Sequence, residues 1–130
     1  MARVLVIDDD EIVKRLTVQL LLENGLEADG AQDGYCGLKL LASKPFDLVV
    51  TDIFMPEKEG IETIMSIRNK DKTLPIIAIS EEGRTDSDLY LRIARYLGAD
   101  YAIRKPLDRQ EFFTAIEECL SRRVRMRVIS

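Results

Sequence analysis

The chain alternates short apolar runs with longer segments in which apolar residues recur at the spacing of a helix. The short runs are RVLVI, LEADGA, DLVVT, PIIAIS and YAIR, which begin at residues 3, 26, 47, 75 and 101. They predict β-strands, and three of them are apolar on both faces, as a parallel sheet covered by helices requires. The pattern therefore predicts five strands, each followed by a helix.

Apolar residues at helical spacing mark the five helices. In chain order the sets are Ile12, Val13, Leu16 and Leu20; Leu38, Leu41 and Ala42; Ile61, Ile64 and Met65; Leu89, Ile93 and Leu97; and Phe112, Ile116 and Leu120. We expect Met65, the two cysteines Cys36 and Cys119, and the aromatic residues of the fifth helix to lie in the core.

Residues suited to helix ends stand at three of the predicted boundaries. Asp108, followed three residues later by Glu111, forms a capping pair at the start of the fifth helix. Asn24-Gly25 and Gly98 stand where helix ends need residues that tolerate left-handed backbone geometry.

Five β-then-α units in one small domain predict a three-layer α/β sandwich, with right-handed crossovers that place helices on both faces of the sheet. Ligands bind outside the carboxyl ends of the strands in open sheets of this kind. Polar residues end or follow four of the predicted strands: Asp8, Asp9, Asp52, Ser80 and Lys105. We expect these side chains to converge at one edge of the sheet.

Composition indicates one globular domain. The chain has 130 residues, of which 46% are hydrophobic, and its formal net charge of -4 argues against general nucleic-acid binding. The exception is a group of arginines near the carboxyl end: Arg122, Arg123, Arg125 and Arg127. We therefore expect one domain over residues 1–121 and a basic tail over residues 122–130.

Cysteine usage and the lengths of the apolar runs bear on the cellular compartment. The two cysteines stand among apolar neighbours in helical segments, which suits reduced thiols better than a disulfide or a metal site. The amino terminus lacks the long apolar region of a signal peptide, and no stretch is long enough to span a bilayer. We expect a cytoplasmic protein that does not engage a membrane.

Carboxylates gathered at one edge predict a metal site. They repel one another and stay ionised only if a cation holds them, and the chain has no histidine. Oxygen ligands alone suit a hard divalent ion such as Mg²⁺. With a lysine and a hydroxyl nearby, such a site has the parts that phosphoryl transfer needs, and one carboxylate can be the nucleophile that forms an aspartyl phosphate.

Four blocks of the chain resemble the response regulator receiver domain family of two-component signalling, the CheY-like domains: VLVIDDDE, DLVVTDIFMPEKEG, PIIAIS and GADYAIRKPL. The resemblance implies a flavodoxin-like parallel sheet with strand order 2-1-3-4-5. It also implies a phosphorylation-dependent switch rather than an enzyme, which changes conformation to control an effector protein. The phosphoryl donor would be a phosphohistidine on a sensor histidine kinase or a histidine phosphotransfer protein.

The resemblance assigns the acidic residues to a Mg²⁺-dependent phosphorylation site. Asp52 is similar to the phosphate-accepting aspartate, which also contacts the metal. Asp9 is similar to a direct metal ligand, and Asp8 to the neighbour that acts largely through water. Phe54 would provide its backbone carbonyl to the metal. Asp10, by contrast, is expected to begin the first helix and to face solvent.

The resemblance also gives roles to residues at the last two strands and in the loop after Asp52. Ser80 is similar to the switch hydroxyl that moves toward the phosphoryl group. Lys105, which Pro106 follows, is similar to the lysine that contacts the phosphoryl oxygens. Pro56 and Gly60 match the loop after the phosphorylation site.

Two positions depart from the family pattern. Ala102 stands where the family usually has a tyrosine or phenylalanine that turns inward on activation, and the adjacent Tyr101 faces the other side of the strand. Glu81 replaces a small residue directly after the switch hydroxyl. We expect a weaker rearrangement at the fifth strand and narrower access to the phosphoryl group.

Two other classes of function are compatible with parts of the sequence. A phosphohydrolase of the haloacid dehalogenase type would use Asp8 and Asp10, but the threonine or valine expected soon afterwards and a cap domain are lacking, and Asp52 would have no role. A pseudo-receiver would keep the fold as a docking module without phosphorylation, and the complete set of acidic, hydroxyl and lysine residues argues against it.

Overall fold

A computed structural model describes residues 2–55, 60–80 and 87–129, without the side chains of residues 87, 88 and 125–129. Pro56, which matches the family's loop after the phosphorylation site, and Glu81, which departs from the family pattern, lie outside the described residues.

Strands and helices alternate along the described chain, as the pattern of apolar residues predicts. The strands are β1 (Arg3–Ile7), β2 (Glu27–Ala31), β3 (Leu48–Asp52), β4 (Ile76–Ser80) and β5 (Tyr101–Arg104). The helices are α1 (Glu11–Glu23), α2 (Gly34–Ser43), α3 (Gly60–Lys70), α4 (Ser87–Leu97) and α5 (Arg109–Ile129).

The strands form one sheet in the order β2-β1-β3-β4-β5, and every neighbouring pair is parallel. The register sets Ile7 at the end of β1 beside Thr51 in β3, and it sets Ser80 at the end of β4 beside Arg104 in β5. The carboxyl ends of the four strands β1, β3, β4 and β5 therefore lie along one edge, and the expected strand order is confirmed.

The core consists of two apolar layers, one on each face of the sheet. Alternate residues of β1 enter different layers, because successive side chains of a strand point to opposite faces: Leu5 and Ile7 enter one, Val4 and Val6 the other. The first layer also contains residues of α2, α3 and α4, and the second contains residues of α1 and α5. The structure is therefore the predicted three-layer α/β sandwich.

The faces that α1 and α3 turn inward differ from the sets that mark these helices in the sequence. Ile12 and Leu16 are 70% and 65% exposed, and α1 instead buries Thr17 and Leu21. Thr17 can enter the core because its hydroxyl donates to the carbonyl of Val13 at 2.8 Å. The expectation that Met65 lies in the core is wrong.

Met65 has half of its surface exposed, because α3 packs on the sheet through three neighbours at helical spacing. These are Thr63, Ile64 and Ile67, all buried. Of the other residues expected in the core, Phe112 and Cys119 are buried, and Cys36 and Phe113 are partly buried.

The predicted helix ends are present. Gly25 and Gly98 adopt positive φ angles of 83° and 122°, which residues with a side chain rarely adopt. Asp108 Oδ1 accepts a hydrogen bond from the Glu111 N–H at 3.0 Å at the start of α5.

Helix α5 continues across the boundary expected between residues 121 and 122 and ends at Ile129. Arg122 Nη2 lies 2.7 Å from Asp100 Oδ1, and Arg123 Nη1 donates to Thr73 Oγ1 at 2.7 Å. These contacts attach the first part of the arginine-rich segment to the edge of the sheet opposite the carboxyl ends of the strands. Among the described residues, no helix is both long enough and apolar enough to cross a membrane.

Candidate functional site

The parallel sheet brings the predicted polar residues together. Asp8 directly follows β1, and Lys105 directly follows β5. Asp52 and Ser80 are the last residues of β3 and β4. All of these positions lie at the carboxyl edge of the sheet, where open α/β folds bind their ligands.

Three aspartates form an acidic cluster at this edge. Asp8, Asp9 and Asp52 each offer one carboxylate oxygen, and these oxygens lie within 4.8 Å of one another. Asp8 and Asp52 are buried, with 5% and 4% of their surface exposed, whereas Asp9 is exposed. The cluster is therefore open to solvent on the side of Asp9.

Lys105 lies between the two buried carboxylates. Its Nζ is 3.1 Å from Asp8 Oδ2 and 3.3 Å from Asp52 Oδ2. Its backbone N–H donates to the carbonyl of Ser80 at 2.7 Å, which holds the lysine against the end of β4. Three carboxylates gathered at one edge concentrate negative charge, which favours a bound cation.

Asp10 is directed away from the cluster. Its side chain accepts hydrogen bonds from the N–H groups of Ile12 at 3.0 Å and Val13 at 3.1 Å, so it is the N-cap of α1. Its own N–H donates to Asp8 Oδ1 at 2.9 Å. The expectation that Asp10 begins the first helix and faces solvent is confirmed.

The backbone that follows Asp52 is held close to its carboxylate. The N–H of Phe54 donates to Asp52 Oδ1 at 3.3 Å, and the N–H of Gly60 donates to the carbonyl of Ile53 at 2.8 Å. A Cβ at residue 60 would collide with the Asp52 carbonyl oxygen and the Ile53 Cα. Gly60 is therefore required where the start of α3 packs against this segment.

Ser80 places a hydroxyl in the interior at this edge. Its side chain is fully buried, and its Oγ has no hydrogen-bond partner among the described residues. A buried hydroxyl without a partner costs about 1–3 kcal/mol. The site therefore contains a hydroxyl that would gain from an additional hydrogen-bond acceptor, such as an oxygen of a bound anion.

The carboxylate of Asp52 is harder to ionise than an ordinary aspartate. Burial raises its pKa from 3.8 to about 6; Lys105 opposes this increase, and the neighbouring charge of Asp8 adds to it. Burial acts to lower the pKa of Lys105, but the charges of Asp52 and Asp8 outweigh it and raise that pKa. The lysine is thus firmly protonated, while Asp52 titrates just below neutral pH.

Without a metal ion, Asp52→Asn is expected to stabilise the fold above pH 6, by up to roughly 3 kcal/mol, the equivalent of a rise in pKa from 3.8 to about 6. Between these pH values the unfolded chain has lost the proton that the native state keeps, so wild-type stability falls as pH rises. The substitution removes this loss. Chemical unfolding in EDTA at several pH values measures the difference.

Most of the advantage of Asp52→Asn should disappear near pH 3.5, where the carboxyl group is protonated in the native state and largely protonated in the unfolded chain. Asp10→Asn, which changes an exposed carboxylate and keeps the helix cap, is the control and should alter stability little. A variant that is no more stable than wild type at pH 7.5 would contradict the raised pKa of Asp52.

One residue beside the site was not predicted from the sequence. The ring of Tyr90 in α4 packs edge-on against the ring of Phe54, with the ring centres 4.9 Å apart and an angle of 74° between the planes. The sequence pattern placed Leu89 on the inner face of α4, but Leu89 is 55% exposed. The set Tyr90, Ala94 and Leu97, which keeps Leu97 and moves the other two positions by one residue, would have found this face.

Comparison with known proteins identifies similar sequences over most of the chain. The profile of the response regulator receiver domain matches residues 4–117. The chemotaxis protein CheY of Treponema pallidum is 39% identical over 121 residues, which cover 91% of this chain and 82% of that protein. The transcriptional regulatory protein CpxR of Escherichia coli K12 is 34% identical over 122 residues, 94% of this chain and 50% of that protein.

Similar solved structures have the same fold. A response regulator receiver domain protein from Clostridium thermocellum superposes with a TM-score of 0.89 at 27% identity, covering 97% of this chain and 99% of that one. The response regulator TrrA of Thermotoga maritima, solved with Mg²⁺ and BeF, gives a TM-score of 0.79 at 33% identity and covers 92% and 100% of the two chains. The chain spans about half the length of several curated relatives.

Proposed function

The chain belongs to the response regulator receiver domain family, and we propose on this basis that it is a phosphorylation-dependent switch whose phosphate acceptor is Asp52. Members of this family are signalling switches of two-component systems rather than enzymes that turn over a substrate. The observation that carries the proposal is the burial of Asp52 within 3.3 Å of the Lys105 ammonium, in an acidic cluster.

The residues of the cluster fit a divalent cation with oxygen ligands. Asp9 and Asp52 would hold Mg²⁺ directly, Asp8 would act largely through water, and Phe54 would offer its backbone carbonyl. When bound, Mg²⁺ would neutralise charge that develops on the phosphoryl oxygens. The relative TrrA, whose structure contains Mg²⁺ and BeF, supports this choice of metal.

Phosphoryl transfer would begin with attack by an Asp52 carboxylate oxygen on the phosphorus of a phosphohistidine. The O–P bond forms as the N–P bond breaks, and the histidine nitrogen leaves with the electron pair. The pKa of about 6 leaves most Asp52 ionised at pH 7.5 and therefore nucleophilic. Lys105 would stabilise the negative charge on the transferred group.

Ser80 would then supply a hydrogen bond to the phosphoryl group. Its buried Oγ, which lacks a partner among the described residues, would gain an acceptor once Asp52 carries phosphoryl oxygens. This gain is present only in the phosphorylated state, so it would favour any rearrangement that brings the hydroxyl and the phosphoryl group together.

The donor and the output are proposed from the family. A sensor histidine kinase or a histidine phosphotransfer protein would supply the phosphoryl group, and an effector protein would bind the two states with different affinity. The geometry favours this function over a haloacid dehalogenase-type hydrolase, which would leave the buried Asp52 without a role and use Asp10, the helix cap. A docking module without phosphorylation would not need the lysine between two carboxylates.

Incubation with acetyl phosphate and Mg²⁺ is expected to add a single phosphoryl group per chain, because the proposal makes Asp52 the one acceptor and leaves Asp8 and Asp9 to the metal. Measurement of the intact mass detects the addition, and an excess of EDTA should suppress it. Asp52→Asn should remain unlabelled, while the matched control Asp10→Asn should label as wild type does. Efficient labelling in EDTA would overturn the requirement for a metal.

A further inference from the structure

The ring contact between Phe54 and Tyr90 joins the candidate site to α4. The two rings meet edge to face, an arrangement in which aromatic pairs attract one another beyond the area that they bury. Both residues are partly buried and pack against the core layer that also receives Ala102 of β5. Ala102 has no aromatic ring, so it takes no part in the aromatic contact between Phe54 and Tyr90 beside the site.

Phe54 is attached to Asp52 through its backbone. Its N–H donates to Asp52 Oδ1, and the preceding carbonyl of Ile53 accepts from Gly60 at the start of α3. The peptide groups around residues 53 and 54 are therefore held from one side by Asp52 and α3. The ring of Phe54 extends from this segment to Tyr90 of α4.

Helix α4, which carries Tyr90, is packed firmly against the core. Leu91 and Ala94 of the same helix are buried in the core layer, with 8% and 0% of their surface exposed. Side chains held by a well-packed helix keep their position with little freedom. Tyr90 can therefore hold the Phe54 ring, and with it the peptide that donates to Asp52.

We propose that Tyr90 is a positioning residue for the phosphorylation site, which acts through the ring of Phe54 to hold the backbone beside Asp52. This inference rests on the proposed function, in which the same backbone provides the carbonyl ligand for Mg²⁺. Coupling is reciprocal, so a ligand at Asp52 would also change the environment of Tyr90.

The test compares four variants by Mg²⁺ titration calorimetry on folded protein, well below the unfolding temperature. Tyr90→Ala and Tyr90→Leu are expected to weaken Mg²⁺ binding about three- to tenfold, the range that the loss of one aromatic pair represents. Tyr90→Phe keeps the ring and should restore wild-type affinity. Tyr96→Ala removes a tyrosine of the same helix that is 90% exposed and should leave affinity unchanged.

A second measurement needs no metal. The amide proton resonance of Phe54 reports its hydrogen bond to Asp52, so it should shift in Tyr90→Leu and stay near its wild-type position in Tyr90→Phe and Tyr96→Ala. Tyr90→Leu preserves apolar bulk, which keeps the test valid if Tyr90→Ala does not fold.

Wild-type Mg²⁺ affinity and an unchanged Phe54 amide in Tyr90→Leu would overturn the inference, as would failure of Tyr90→Phe to restore both. These measurements do not involve phosphorylation. A wild-type protein that binds Mg²⁺ but takes up no phosphoryl group would instead overturn the proposed function and leave the role of Tyr90 in metal binding intact.

Discussion

Asp9→Ala is expected to weaken Mg²⁺ binding by about 100-fold or more, whereas Asp10→Asn should leave it nearly unchanged. Asp9 contributes an oxygen to the acidic cluster and is its exposed member, so a metal that enters from solvent meets it first. Asp10 directs its carboxylate to the N–H groups of α1, and asparagine preserves this cap. The two neighbours therefore have different roles.

Isothermal titration calorimetry measures both affinities directly, and it suits a chain that has no tryptophan to serve as a fluorescent reporter. The comparison is well matched, because each variant removes one negative charge from adjacent positions near the site. Equal losses of affinity in Asp9→Ala and Asp10→Asn would show that Mg²⁺ affinity depends only on the net charge near the site. The assignment of Asp9 as a ligand would then be wrong.

Lys105→Ala is expected to slow phosphorylation by acetyl phosphate by about 100- to 1000-fold, the usual cost of losing a positioned group that stabilises charge in the transition state. The lysine contacts both Asp8 and Asp52. Its removal also leaves Asp52 without the charge that opposes the rise in its pKa, so the carboxylate should ionise at a higher pH than in wild type.

The rate of labelling, followed by mass at several pH values, separates these two effects. A purely electrostatic effect on Asp52 ionisation would be recovered at high pH, whereas the loss of transition-state stabilisation would persist there. Lys44→Ala, which removes an ion pair with Asp29 away from the site, is the control and should label at the wild-type rate. A Lys105→Ala protein that labels as fast as wild type would exclude this lysine from the reaction.

The sequence predicts the elements of this fold well, because parallel strands that are buried on both faces leave an unbroken apolar pattern. DLVVT and PIIAIS correspond to β3 and β4 to within one residue at either end, and every residue of both strands is buried. The order of the strands in the sheet cannot be predicted in the same way. It depends on pairing between residues far apart in the chain, which periodicity does not encode, and it came from the family resemblance.

The candidate site could be predicted because it follows a geometric rule. Residues at the carboxyl ends of parallel strands meet at one edge, so strand boundaries alone placed Asp8, Asp52 and Lys105 together. Helix orientation was harder to predict. Met65 and Leu89 are apolar at helical spacing yet are 50% and 55% exposed, because packing against the sheet, rather than the spacing, decides which face turns inward.

The contact between Phe54 and Tyr90 had no signal in the sequence. The two residues belong to different segments, and their contact depends on how α4 lies on the sheet. The expectation drawn from Ala102, a weaker rearrangement at β5, remains a prediction. The role proposed for Tyr90 does not depend on an aromatic side chain at position 102, because the ring contact is between Phe54 and α4.

The most direct test of the central claim is to identify the residue that carries the phosphoryl group. Borohydride reduces an aspartyl phosphate to homoserine, so treatment of the labelled protein, followed by peptide mass mapping, marks the acceptor. We predict conversion at Asp52 in a protein labelled with acetyl phosphate and Mg²⁺, because it is the buried carboxylate at the end of β3 with Lys105 at 3.3 Å. Conversion at Asp8, as a haloacid dehalogenase-type mechanism would require, or at any residue other than Asp52 would contradict this account.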